Sequence, residues 1–152
     1  MKKNFRRYIG LIGMSLALAS GAAFALTPGQ KLPKSQIAQW GTLTVYDIDG
    51  SHIRVIPPQY SDSQDTLVLN EQGVVGKSAN EIVVAEASAG VQAVIEQTQP
   101  RPVSVKHYEA TGITVATYAD FAQAVEALRA LKAALPSAKV GLPVLFTRPQ
   151  PY

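Results

Sequence analysis

The sequence has no cysteine and only two histidines, His52 and His107. Without thiols there is no disulfide to support a small fold, no thiolate nucleophile and no cysteine to carry a lipid anchor. Two separated imidazoles leave the common tetrahedral zinc sets unsupported. His107 falls on the apolar side of an alternating stretch and reads as a packed or half-exposed core histidine. His52 lies just past a turn, with no cluster around it. Also missing are the G-x-S-x-G, H-E-x-x-H and P-loop patterns that carry acyl, metal-assisted and phosphoryl chemistry. The chain is therefore not expected to be an enzyme, and no catalytic residue, metal or cofactor is assigned.

A long hydrophobic run is lacking too. The most apolar stretch, Ile9 to Ala19, is too short to span a bilayer. Four basic residues precede it (Lys2, Lys3, Arg6, Arg7), and Ala23 and Ala25 follow as A-x-A. Charge, grease and small residues in that order make a secretory signal peptide over residues 1–25, with cleavage expected after Ala25. Four of the fourteen basic residues belong to this leader, which leaves ten against eleven acidic ones. The mature chain is near neutral, which argues against nucleic acid as a partner, and membrane contact is not expected once the leader is gone. Its remaining length suits one domain.

Residues 26–77 read as an N-terminal extension that is partly disordered when free. Leu26 to Gln39 carries Pro28, Gly29 and Pro33 with no surviving period, the pattern of an extended arm. Thr42 to Ile48 and Ser51 to Ile56 flank Asp49-Gly50, a strong hairpin signal because Gly accepts positive φ in a tight turn. A polar break from Pro57 to Asp65 leads to a short strand over Thr66–Asn70. A lone hairpin is marginal in water, so this third predicts a need for a partner surface.

Residues 78–147 are more regular. Glu81 to Ala85 reads as a buried strand, and Val91, Val94, Ile95 and Thr98 share a helical face that ends before Pro100. Val103, Val105 and His107 alternate with polar neighbours, Glu109 to Gly112 makes a turn, and Ile113, Val115 and Thr117 alternate again. Asp120 predicts a helix cap, with Gln123 placed for a capping box. Phe121, Val125, Leu128, Leu131 and Leu135 form the stripe of that helix, which Pro136 stops. Val140, Leu142, Val144 and Phe146 alternate in a last strand, where Pro143 predicts a sheet edge. The order strand, helix, strand, strand, helix, strand predicts an α+β, ferredoxin-like βαββαβ body with one bare sheet face, preceded by the arm and hairpin.

Gly90-Val91-Gln92-Ala93-Val94 resembles the phosphate loop of acylphosphatases, which share this element order. The arginine those enzymes require is missing, since Ile95-Glu96-Gln97 follows. Gly90 reads instead as a small residue in the first turn of a helix.

The segment VSVKHYEATGITVATYADFAQAVEALRALKAALPSAKVGLPVLFTRPQPY is similar to the second half of subtilisin-type protease propeptides. Strand, glycine-bearing turn, strand, helix, proline-bearing stretch and last strand come in that family's order, and the likeness covers about half the chain. A propeptide continues into its protease, whereas this sequence stops at Tyr152 and begins with its own leader. It thus resembles propeptides supplied as separate chains, which act as external chaperones. The resemblance implies a periplasmic or secreted chaperone and active-site-occupying inhibitor that pairs with a subtilisin-like serine protease as a heterodimer. It implies that the bare sheet face packs on two protease helices, with Glu109 capping them. It also implies that the last strand and tail (Phe146, Thr147, Arg148, Pro149, Gln150, Pro151 and Tyr152) lead into the substrate cleft, the tail being residues 148–152. A binding module of the same fold that inhibits without assisting folding is the alternative.

Physically the tail suits docking. Pro149 and Pro151 restrict φ and so reduce the entropy lost on binding, and Tyr152 offers a rigid apolar ring.

Overall fold

The computed structural model describes residues 25–61, 63–85 and 90–147, folded as two four-stranded antiparallel sheets with few helices. The leader before Ala25 and the tail from Arg148 lie outside the described residues, so the expectations placed on them do too.

The first sheet is a meander of β1 (Val45–Ile48), β2 (Ser51–Val55), β3 (Thr66–Leu69) and β4 (Val75–Ser78), in that spatial order. Asp49 and Gly50 turn β1 into β2 with φ of 53° and 79°, the left-handed pair that a two-residue hairpin demands. Ile48 and Ser51 close the ladder beneath them, and Asp47 Oδ1 accepts from the Gly50 amide at 3.1 Å. The turn from β3 to β4 is tied by Asn70, whose Oδ1 accepts from the Val74 amide at 2.9 Å.

This half is more than an arm and a hairpin. The arm is not extended throughout: Lys34–Ala38 forms a short helix, α1. Leu26 and Leu32 are buried with Ile56, Leu67, Leu69 and Val75, and Ile37, Trp40 and Tyr60 pack against that cluster. The Trp40 and Tyr60 rings lie 5.2 Å apart. Residues 26–40 thus cover one face of the first sheet. Its other face carries Ile48, Ile53 and Val68 into a second, larger cluster. Both faces of this sheet are thus covered by residues of the chain itself.

The second sheet runs β6 (Ser104–Tyr108), β7 (Ile113–Thr117), β5 (Glu81–Ala85) and β8 (Lys139–Gly141) in space. Helix α2 (Val91–Gln97) lies over β6 and β7, and helix α3 (Phe121–Ala134) over β5 and β8. Val91 and Ile95 of α2 join Phe121, Val125, Leu128 and Leu131 of α3 over Ile82, Val84 and Ala116. Asp120 caps α3, its Oδ1 accepting from the Gln123 amide at 2.8 Å. The Gln123 side chain meets the Asp120 carboxylate at 3.4 Å, so the second half of the expected box is a side-chain contact. Gly90 is not an ordinary first-turn residue: at φ 102° it sits in the left-handed region at the α2 N-cap, where a side chain would be strained.

The expected last strand is also divided. β8 ends at Gly141, and after Pro143 the chain crosses to the first sheet, where Leu145 pairs with Lys77. Proline has no amide for the ladder, so the strand breaks there and its continuation finds a new edge. The first sheet is further joined to α3 by an edge-on contact of Tyr46 with Phe121 at 5.6 Å and by the ion pair of Lys132 with Asp49.

Candidate protein-binding surface

Side chains alternate across a strand, so the register of the second sheet sorts its residues into two faces. Ile82, Val84, Thr114 and Ala116 point to the helices and are fully or almost fully buried. His107 shares that side and is held by Thr114, Nδ1 to Oγ1 at 2.9 Å, while remaining exposed at the sheet margin.

The opposite face carries three cross-strand rows. Ser104, Thr117 and Glu81 form one. Lys106, Val115, Val83 and Gly141 form the middle row across all four strands. Tyr108 with Ile113, and Ala85 with Lys139, lie at the third level. Val83, Ile113 and Val115 are only half-buried, and Tyr108 is 51% exposed. The bulky β-branched positions of β7 therefore face away from the core, while the small residues between them, Thr114 and Ala116, face the helices. Both helices occupy the other side, which leaves these apolar rows without a covering layer among the described residues. Lys106, Lys139 and Glu81 fringe them with charge of both signs.

Glu109 stands in the turn between β6 and β7, at one end of this face, and is exposed; its carbonyl accepts from the Gly112 amide at 3.4 Å. The turn closes with Gly112 at φ 63°. The residue is thus exposed at the end of the sheet, and an exposed carboxylate can accept hydrogen bonds from free helix amides.

Phe146 and Thr147 are apart from Glu109, on the segment that pairs with β4. Phe146 is half-buried and belongs to the core cluster, whereas Thr147 is exposed. Of the expected contact residues, Arg148 to Tyr152 fall outside the described residues. Val83, Tyr108, Ile113 and Val115 were not assigned to a site from sequence. Their signal was the heavy alternation of Ile113, Val115 and Thr117, but periodicity does not say which face is covered.

His52 has company that its sequence neighbours do not reveal. Its Nδ1 lies 3.5 Å from Glu71 Oε1 and 3.9 Å from Asp47 Oδ2, and its amide donates to Glu71 Oε1 at 3.3 Å. All three side chains are more than half exposed, so the cluster is a solvated tie between the hairpin and the next turn.

Comparison with protein families, curated proteins and solved structures finds no match for this chain.

Proposed function

We propose that the protein is an exported chaperone and inhibitor of a subtilisin-like serine protease. In this reading residues 78–147 are a ferredoxin-like βαββαβ body, a view supported by the order β6-β7-β5-β8 with both helices on one face. The observation that carries the proposal is the outer face, left uncovered among the described residues, with Lys106, Val115, Val83 and Gly141 in one row across the sheet. An apolar face with a charged fringe suits two amphipathic helices of a partner.

The mechanism follows from binding. A surface that fits the native protease and not its unfolded chain stabilises the native state by mass action. If that surface is also complementary to the folding transition state, the same contacts accelerate folding. Glu109 would accept from free amides at the partner's helix N-termini. The tail, restricted by Pro149 and Pro151, would then lie in the cleft as an added strand with Tyr152 next to the catalytic serine. The leader sends the chain to the periplasm, and from there it accompanies the protease.

The test is refolding of denatured mature subtilisin, made without its propeptide, with and without this chain. A chaperone raises the yield of folded protease several-fold, and the complex stays inactive until the chain is removed. Inhibition of native subtilisin without any gain in refolding would identify a pure inhibitor. If subtilisin is neither refolded nor inhibited by the chain, the reading is wrong.

A further inference from the structure

We propose that the outer edge of β4 is the seat that positions the C-terminal segment, with Gly76 and Lys77 as positioning residues for the tail of residues 148–152. This rests on the inhibitor reading above and gives the first sheet a part in it.

Leu145 and Lys77 exchange both backbone hydrogen bonds, each at 2.9 Å. Antiparallel pairing of 145 with 77 sets Phe146 opposite Gly76. A Cβ on Gly76 would come within 2.5 Å of Phe146 Cε1, 2.7 Å of its Cδ1 and 2.9 Å of Val144 Cγ1. The ring therefore occupies the space of the missing side chain, which is why a glycine interrupts this strand. Lys77 is steadied in turn by Asp65, Nζ to Oδ2 at 2.6 Å. Pro143 releases the chain from the second sheet just before this seat. The tail starts two residues after Phe146, and five residues span at most about 18 Å, so a fixed base restricts where its end can reach. Holding that base on a sheet before binding removes freedom that docking would otherwise have to remove.

Two variants of the full chain test this, with inhibition of mature subtilisin and amide exchange as readouts. Gly76→Ala should expel Phe146, speed exchange of the Leu145 amide and weaken inhibition at least tenfold, while Leu69 exchange stays slow. The pair Lys77→Cys with Leu145→Cys places thiols on facing strands of a chain with no other cysteine. Its oxidised form should inhibit within threefold of its reduced form. A tenfold loss on oxidation, regained on reduction, would show that the segment leaves β4 to dock and would overturn the proposal. So would G76A inhibiting like the native chain, or a native Leu145 amide exchanging as fast as unstructured backbone. A native chain that does not inhibit overturns both readings; G76A matching an inhibiting native chain overturns the positioning role alone.

Discussion

The two sheets have the same number of strands but are covered differently. The first is buried on both faces, by the arm of residues 26–40 on one side and by the helical layer on the other. Among the described residues the second is covered on the helix side only, and its outer rows stay half-exposed. A sheet enclosed on both faces is a structural element, whereas one with a bare apolar face is unfinished until something packs on it. The less regular half of the sequence thus builds the more enclosed sheet, and the more regular half presents the surface.

The largest effect that separates the two is expected in the enclosed sheet. Leu69 is fully buried in β3, among the residues the arm covers. Leu69→Ala should cost about 3 kcal/mol by transfer and cavity terms, read as a lower urea midpoint of the whole chain. If the arm covers the sheet only loosely, the loss falls below about 1 kcal/mol and the contrast between the sheets collapses.

Val115 makes the opposite test. It is half-exposed at the centre of the outer face, paired with Val83 and Lys106. Val115→Lys should change stability by no more than about 1 kcal/mol. It should weaken binding to a subtilisin-type protease tenfold or more, at least about 1.4 kcal/mol, by isothermal titration. Loss of stability without loss of binding would mean that the row is structural.

The division of labour was legible where local chemistry decides. Asp49-Gly50 announces its hairpin because a two-residue turn demands adjacent left-handed residues, which this pair tolerates. Asp120 announces α3 because a carboxylate there answers a free amide, and the stripe from Phe121 to Leu131 is buried as its spacing requires. What was illegible depends on distant partners. Val75–Ser78 lacks a strand signal because Gly76 is explained by Phe146, seventy positions away in sequence. The arm looked unstructured because Leu26 and Leu32 are isolated apolar residues, meaningful only over Leu67, Leu69 and Val75. The free edge of β4 is shared by both ends of the described chain: Gly29 and Gln30 bond Val75, and Leu145 bonds Lys77. No local pattern encodes that meeting. For the site, Glu109 and the strands around it were readable, but the covered face of β7 was not, since Ile-Thr-Val-Ala-Thr alternates equally well either way up.

The α3 cap joins the two halves more weakly. Phe121, the first residue after Asp120, touches Tyr46 of the first sheet. Asp120→Ala removes the acceptor for the Gln123 amide and should cost about 1 kcal/mol, measured by denaturant titration. Asp120→Asn should recover most of it, because an amide oxygen still caps. If alanine and asparagine cost the same, the side chain matters through some contact other than the cap.

The effect most specific to one side chain lies at the junction between the sheets. Tyr118 follows β7 and is 2% exposed; its amide donates to the Asn80 carbonyl at 2.9 Å. Its hydroxyl is buried without a protein partner among the described residues, and burial pushes its pKa above the ordinary 10.0. In the unfolded chain the phenol ionises near that ordinary value, while the native state holds it neutral to higher pH. The unfolded state therefore binds fewer protons above about pH 10, and stability from this group falls as pH rises through the folded pKa. Below the unfolded value the contribution is complete. Tyr118→Phe deletes the titration and the unpaired hydroxyl together. The variant should be at least as stable as the native chain at pH 7, because an unpaired buried hydroxyl is a cost of about 1 kcal/mol or more. Its advantage should widen between pH 9 and pH 11, where the native chain alone loses this term. A difference that stays constant over that range, in urea melts at matched ionic strength, would mean that the native phenol titrates as it does in water.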